Sequence, residues 1–175
     1  MEKEGTWFAV DSTQKKVACL LNATGKQPQP DQRMSRGKIT VSYLTGDNNF
    51  MLQDQLKKTA PFTLIILRFT LDIQIEEYLL DGKQLLNNKK NEKKPQLWCS
   101  NTLYSNAKKQ QLTAAFEQHL LGGYKWEDLI YFHKKIAQPA NSSEYLSKNH
   151  NMQTVSITSL NALGNSEKIH YSSLI

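Results

Sequence analysis

Four histidines, His119, His133, His150 and His170, are the side chains best suited to metal ligation or proton transfer near neutral pH. None stands in an H-x-x-x-H or H-E-x-x-H spacing or beside a cysteine, so no ligand set is fixed on one helical face. His119 and His133 do fall on the apolar stripes of two consecutive helical segments. In an antiparallel helix pair they would face each other as partly buried, hydrogen-bonded imidazoles whose pKa burial depresses.

Acid–base chemistry would need convergent carboxylates. Glu76 and Glu77 are neighbours in a strand-like run, so their side chains point to opposite faces. Glu127 and Asp128 open the second helical segment, where the helix dipole alone accounts for them. Asp72 shares a polar row with Arg68, Thr70, Gln74 and Glu76, which reads as the wet face of a sheet.

Cys19 and Cys99 sit in apolar runs without a flanking cation, as small core residues do. No G-x-S-x-G elbow, P-loop or dinucleotide fingerprint occurs. Tyr124, Lys125 and Trp126 combine aromatics with a cation, as base-stacking surfaces do, but Trp126 also suits a helix's core anchor. The candidate ligand- or partner-binding residues are therefore Trp126, His119, His133, Arg68 and Asp72. No catalytic residue, metal ligand or cofactor motif is marked.

The elements that must position these groups follow from periodicity. Trp7–Asp11 and Lys16–Leu21 read as a hairpin, and 22–37 as a surface loop. Lys38–Thr45 alternates, with Ile39, Val41 and Tyr43 on one strand face, while Phe50–Lys58 fits helix or strand. Phe62–Glu76 reads as one long strand, bent near its start, that buries Leu67, Phe69, Leu71, Ile73 and Ile75. Asp81-Gly82 turns Tyr78–Leu80 back onto Lys83–Leu86, a charged loop spans 87–95, and Gln96–Tyr104 is strand-like.

Two helices follow. The first is capped by Ser105 or Asn106 and carries a Leu112, Phe116, Leu120 stripe; Gly122-Gly123 ends it. The second runs Lys125–Gln138 to a stop at Pro139, with Trp126, Leu129 and Ile130 on its apolar face. Met152–Leu160 and Lys168–Tyr171 form a terminal strand pair around Gly164-Asn165. The expected fold is α+β: a single domain over 1–175 with a curved, mainly antiparallel sheet of seven to nine strands. The C-terminal helix pair is expected to cover one face, with Phe116 and Trp126 as anchors.

A chain of 175 residues fits such a domain without disulfide support. Its net charge of +6 is spread along the first 150 residues instead of gathering in a stripe, which does not favour nucleic acid as the partner. No apolar run approaches a membrane span, and Met1-Glu2-Lys3-Glu4 leads into Trp7 without a signal-peptide core. The expected location is the cytoplasm, although a mature secreted form would look the same.

Gly5-Thr6-Trp7, the run of strands, and the helix over Leu112–Phe132 together resemble the plan of the lipocalin family. That resemblance implies an eight-stranded barrel whose floor Trp7 closes and whose interior holds a small hydrophobic ligand. The sequence departs from it in lacking the family's second motif and in adding a second helix. The reading that best fits the unmarked chemistry is a non-enzymatic binding or adaptor protein whose partner is another protein. A lipocalin-like binder of a hydrophobic ligand and a basic nucleic-acid-associated protein stand as the alternatives.

Overall fold

A computed structural model of the chain describes residues 5–25, 34–47, 53–123, 125–137, 156–163 and 166–174. The elements in chain order are β1 (Phe8–Asp11), β2 (Lys16–Asn22), α1 (Gly37–Leu44), α2 (Gln53–Lys57), β3 (Phe62–Phe69), β4 (Ile73–Leu80), β5 (Leu85–Lys90), α3 (Asn106–His119), α4 (Trp126–Ala137), β6 (Ser156–Leu163) and β7 (Ser166–Ser173). The chain divides into two compact units. Met1–Lys94 with Ser100–Thr102 make the first, and Pro95–Cys99 with Leu103–Ile175 the second.

The first unit is an antiparallel five-stranded sheet in the order β1-β2-β3-β4-β5. Neighbours in sequence are neighbours in the sheet, and among the described residues no strand pairs with the outer side of β1 or β5, so the sheet is an open meander there. Central strand β3 is apolar from Phe62 to Ile66, apart from Thr63, and buried on both faces there. That explains why this stretch lacks alternation. Phe62, Leu64 and Ile66 are wholly buried and cluster with Ala18, Leu20, Tyr78 and Leu80.

The long strand expected over 62–76 is instead two strands joined at Thr70-Leu71-Asp72, with Phe69 paired to Ile73. Leu71 at the tip is fully exposed and Ile73 is exposed, while Leu67, Phe69 and Ile75 are half-buried. The expected burial of all five is thus wrong. The residues on either side of the turn alternate, but the chain reverses at Thr70-Leu71-Asp72, whose side chains need no core.

α1 closes this core with Ile39, Tyr43 and Leu44, and packs on β1 and β2. The sequence reading made this segment a strand. Its i, i+4 pairs Ile39/Tyr43 and Thr40/Leu44 are the buried ones, whereas Val41 is exposed, so the period of 3.6 prevails over that of 2. The helix comes close because two glycines cross. A β-carbon on Gly5 would lie 2.8 Å from the Gly37 carbonyl carbon, and the Thr6 amide donates to the Gly37 oxygen at 3.1 Å.

β5 reaches Lys90 in register with Ile75, so Asn87–Lys90 are strand and not charged loop. Gln96–Tyr104 forms no strand. There the Asn101 amide and the Ser100 hydroxyl both donate to the carbonyl of Asn22, which ties the segment to the end of β2.

In the second unit the Ser105 hydroxyl caps α3 by accepting from the Lys108 amide, and Gly122 and Gly123 leave the helix with φ of 93° and 104°. The α3 and α4 stripes meet each other: Phe116, Leu120 and Phe132 are buried together with Leu97, Leu129 and Ile136 around them. Phe116, expected as an anchor on the sheet, is buried instead against Phe132 of the facing helix, in an edge-to-face contact at 5.2 Å. Trp126 is only half-buried. β6 and β7 pair antiparallel as a separate two-stranded sheet. The seven described strands therefore form two sheets, and α1 packs on the large one. Pro139, the 139–151 loop and the Gly164-Asn165 turn lie outside the described residues. Among the described residues no helix is long and apolar enough to cross a membrane.

Candidate functional site

Two side-chain constellations stand out, one in each unit. In the first, β3 and β4 bring Arg68 and Glu76 to the face that α1 covers. Arg68 Nη1 lies 3.1 Å from Glu76 Oε2, and its Nη2 donates to the Tyr43 hydroxyl. The Tyr78 hydroxyl donates to the same carboxylate oxygen at 3.0 Å, and the two tyrosine rings stand 6.0 Å apart. Burial raises the pKa of both phenols; for Tyr43 the Arg68 charge opposes the rise, and for Tyr78 its neighbour Tyr43 adds to it.

Every charge in this group is met within it. Its chemical capacity is to latch α1 onto the sheet, and the Arg68 guanidinium is spent on Glu76. The polar row expected to join Arg68 to Asp72 is broken by the hairpin turn. Asp72 sits exposed at the tip, where its carbonyl accepts from the Thr70 hydroxyl. Glu77 points the other way and meets Lys90 at 2.8 Å.

The second constellation is a cleft of about 340 Å³ between α3 and α4, lined by Ala115, Gln118, His119, Phe132, Lys135 and Ile136. Its floor is the face of the α3–α4 cluster, since Phe132 is buried and Ala115 and Ile136 pack beside it. His119, in the last turn of α3, has Nε2 3.0 Å from the Asp128 carbonyl oxygen. A carbonyl only accepts, so Nε2 carries a hydrogen and donates it there. The same ring stacks on Tyr131 at 5.9 Å and 20°. Tyr131, stacked on a lining residue, is itself 60% exposed, so an open aromatic side chain of α4 stands beside the cleft.

Of the five residues marked from sequence, only His119 lines this cleft. His133 lies on the outer side of α4, exposed, with its ring edge against Phe132 at 5.8 Å. The desolvation it does meet holds its pKa below the ordinary imidazole value. His119 and His133 therefore do not face each other. Trp126 packs on His170 of β7 at 4.9 Å, and its indole Nε1 is buried without a hydrogen-bond partner. Tyr124 and His150 lie outside the described residues.

Tyr43, Tyr78 and Phe132 join these two constellations without being marked by the sequence. Tyr43 carries no signal, because its meeting with Arg68 depends on α1 being a helix; Tyr78 carries one, since it stands two residues from Glu76 on the same strand face. Phe132 had one, standing two residues after the marked Ile130 and within reach of the Leu129 stripe.

Cys19 and Cys99 are both free and half-buried, and burial pushes each thiol pKa up, away from a reactive thiolate. Trp7 closes no barrel: it is 48% exposed, and the Arg36 guanidinium lies over its ring at 5.6 Å. Gly5, the other residue behind the lipocalin likeness, serves the crossing with Gly37.

The chain is a mixed α+β protein with a mainly antiparallel sheet and an open cleft between two helices. The family model for TANGO2, Transport and Golgi organisation 2, matches residues 1–172, and the chain belongs to that family. No curated protein matches it.

Proposed function

We propose that this chain is a protein-binding module serving the transport and Golgi organisation that its family's name denotes, and that the α3–α4 cleft is its docking site. The observation that carries the reading is the open cleft floored by Phe132, with the largely exposed Tyr131 at its border. A tyrosine that stays exposed beside an apolar floor suits a contact surface, where aromatic side chains supply most of the binding energy. His119, held by the Asp128 carbonyl and stacked on Tyr131, adds a fixed polar ring at the rim.

The reading places the chain in the cytoplasm, on the face of Golgi membranes where cytoplasmic adaptors act. Recruitment of the purified chain to Golgi-enriched membranes tests it. Gln118→Trp would fill the cleft mouth and Tyr131→Ala would remove its border, and neither touches the Phe116–Phe132 core. Both variants should sediment with membranes several-fold less than the parent chain. Trypsin treatment of the membranes should abolish the parent's binding, because the partner is a protein. Binding that resists trypsin and both substitutions would overturn the proposal.

A further inference from the structure

β5 is an edge strand: β4 holds one side, and no strand among the described residues holds the other. Leu86, Asn87, Asn88 and Lys89 are exposed along it. An unprotected edge of this length is a template for a further strand. The Asp81 amide donates to the Gln84 carbonyl at 3.3 Å. Hydrogen-bonded and non-hydrogen-bonded pairs alternate along an antiparallel ladder, so the amides and carbonyls of Leu85, Asn87 and Lys89 point away from β4.

The charge around this edge is one-sided. Between Lys83 and Lys94 there are five lysines and a single acid, Glu92. Lys90 is held by Glu77, while Lys83, Lys89 and Lys93 are exposed around the strand. Two copies of β5 meeting edge to edge would set lysines against lysines, so self-association is disfavoured. The same charge attracts an acidic strand.

We propose that β5 is the docking edge for an extended, acidic segment of a partner protein, which joins the sheet as a sixth strand. Backbone hydrogen bonds to Leu85, Asn87 and Lys89 set its register, and Lys83, Lys89 and Lys93 select its charge. This surface lies in the first unit and is independent of the α3–α4 cleft, so either proposal can fail without the other.

The test uses the full chain and a fluorescein-labelled short peptide of alternating Glu and Val, followed by anisotropy. An N-methylated version of the same peptide lacks alternate amide donors, and a Lys/Val version reverses the charge. The acidic peptide should bind and the other two should not. Asn87→Pro removes an outward amide that β4 does not use, and should weaken binding about tenfold or more. Lys89→Glu with Lys93→Glu should abolish it.

Failure of the acidic peptide to bind would overturn the proposal, and so would equal binding of the N-methylated peptide. Tighter binding to phosphatidylserine vesicles or to a single-stranded oligonucleotide, unchanged in Asn87→Pro, would also overturn it by showing a general anion surface. Should Asn87→Pro fail to fold by circular dichroism, the N-methylated peptide alone decides.

Discussion

Leu64 and Leu71 are the same residue type seven positions apart in what reads as a single strand, and the structure gives them opposite roles. Leu64 is wholly buried on central strand β3, in register with Leu20 of β2 and Tyr78 of β4, both buried themselves. Leu71 is at the hairpin tip, as exposed as in an extended chain (104%). Truncation of Leu64 to Ala removes three buried carbon atoms, a transfer loss of about 2.4 kcal/mol at roughly 0.8 kcal/mol for each. Its neighbours belong to three strands and cannot collapse freely, so a cavity cost adds, for a total of about 3–5 kcal/mol. Leu71→Ala should stay within about 0.5 kcal/mol of the parent. Urea melts followed by far-ultraviolet circular dichroism measure both. Comparable losses in the two variants would show that 62–76 is one continuous strand and would refute the hairpin.

Gly5→Ala should destabilise by about 1–3 kcal/mol, as overpacking does, because its β-carbon would press on the backbone of Gly37 and lift α1 from β1; a thermal melt equal to the parent's would contradict the crossing. Arg68→Ala leaves the carboxylate of Glu76, 13% exposed, without its cation, and should cost about 1–3 kcal/mol. Pairing it with Glu76→Gln in a double-mutant cycle should recover part of that loss, whereas strictly additive losses would deny the coupling. His133 titrates below the ordinary imidazole range in the folded chain, so between its folded pKa and the unfolded value near 6.5 the unfolded state binds more protons. Its contribution to stability is complete above about pH 6.5 and is lost as pH falls from there towards the folded pKa. His133→Gln should flatten the pH dependence of the melting midpoint in that window, and an unchanged slope would deny it.

The parts of the fold legible in the sequence are those set by neighbours in the chain. The β1–β2 hairpin, the Ser105 cap and the glycine exit from α3 depend on local chemistry, and each is where its residues put it. The hairpin after β4 turns at Gly82-Lys83 instead of Asp81-Gly82, so Leu80 pairs with Leu85 and not with Lys83. The opposed directions of Glu76 and Glu77 follow from strand geometry in the same way.

What was not legible depends on contacts across long separations. Ile39, Val41 and Tyr43 fit a strand face as well as a helix, and only packing on β1 and β2 decides for the helix. Thr70-Leu71-Asp72 contains no glycine or proline to announce a turn, so the apolar alternation ran straight through it. Of the cleft, His119 could be named because it interrupts an apolar stripe. Gln118 and Lys135 could not, because they are ordinary solvent-facing residues until the two helices pack.

A photo-crosslinking amino acid at Gln118, irradiated with the chain on Golgi-enriched membranes, shows whether the α3–α4 cleft docks a protein. Thr13, exposed in the turn between β1 and β2, serves as the control position. Position 118 should give one discrete crosslinked protein band, lost when Tyr131 is also replaced by Ala, and position 13 none. Equal crosslinking from both positions, or none from 118 while the chain remains on the membranes, would contradict it.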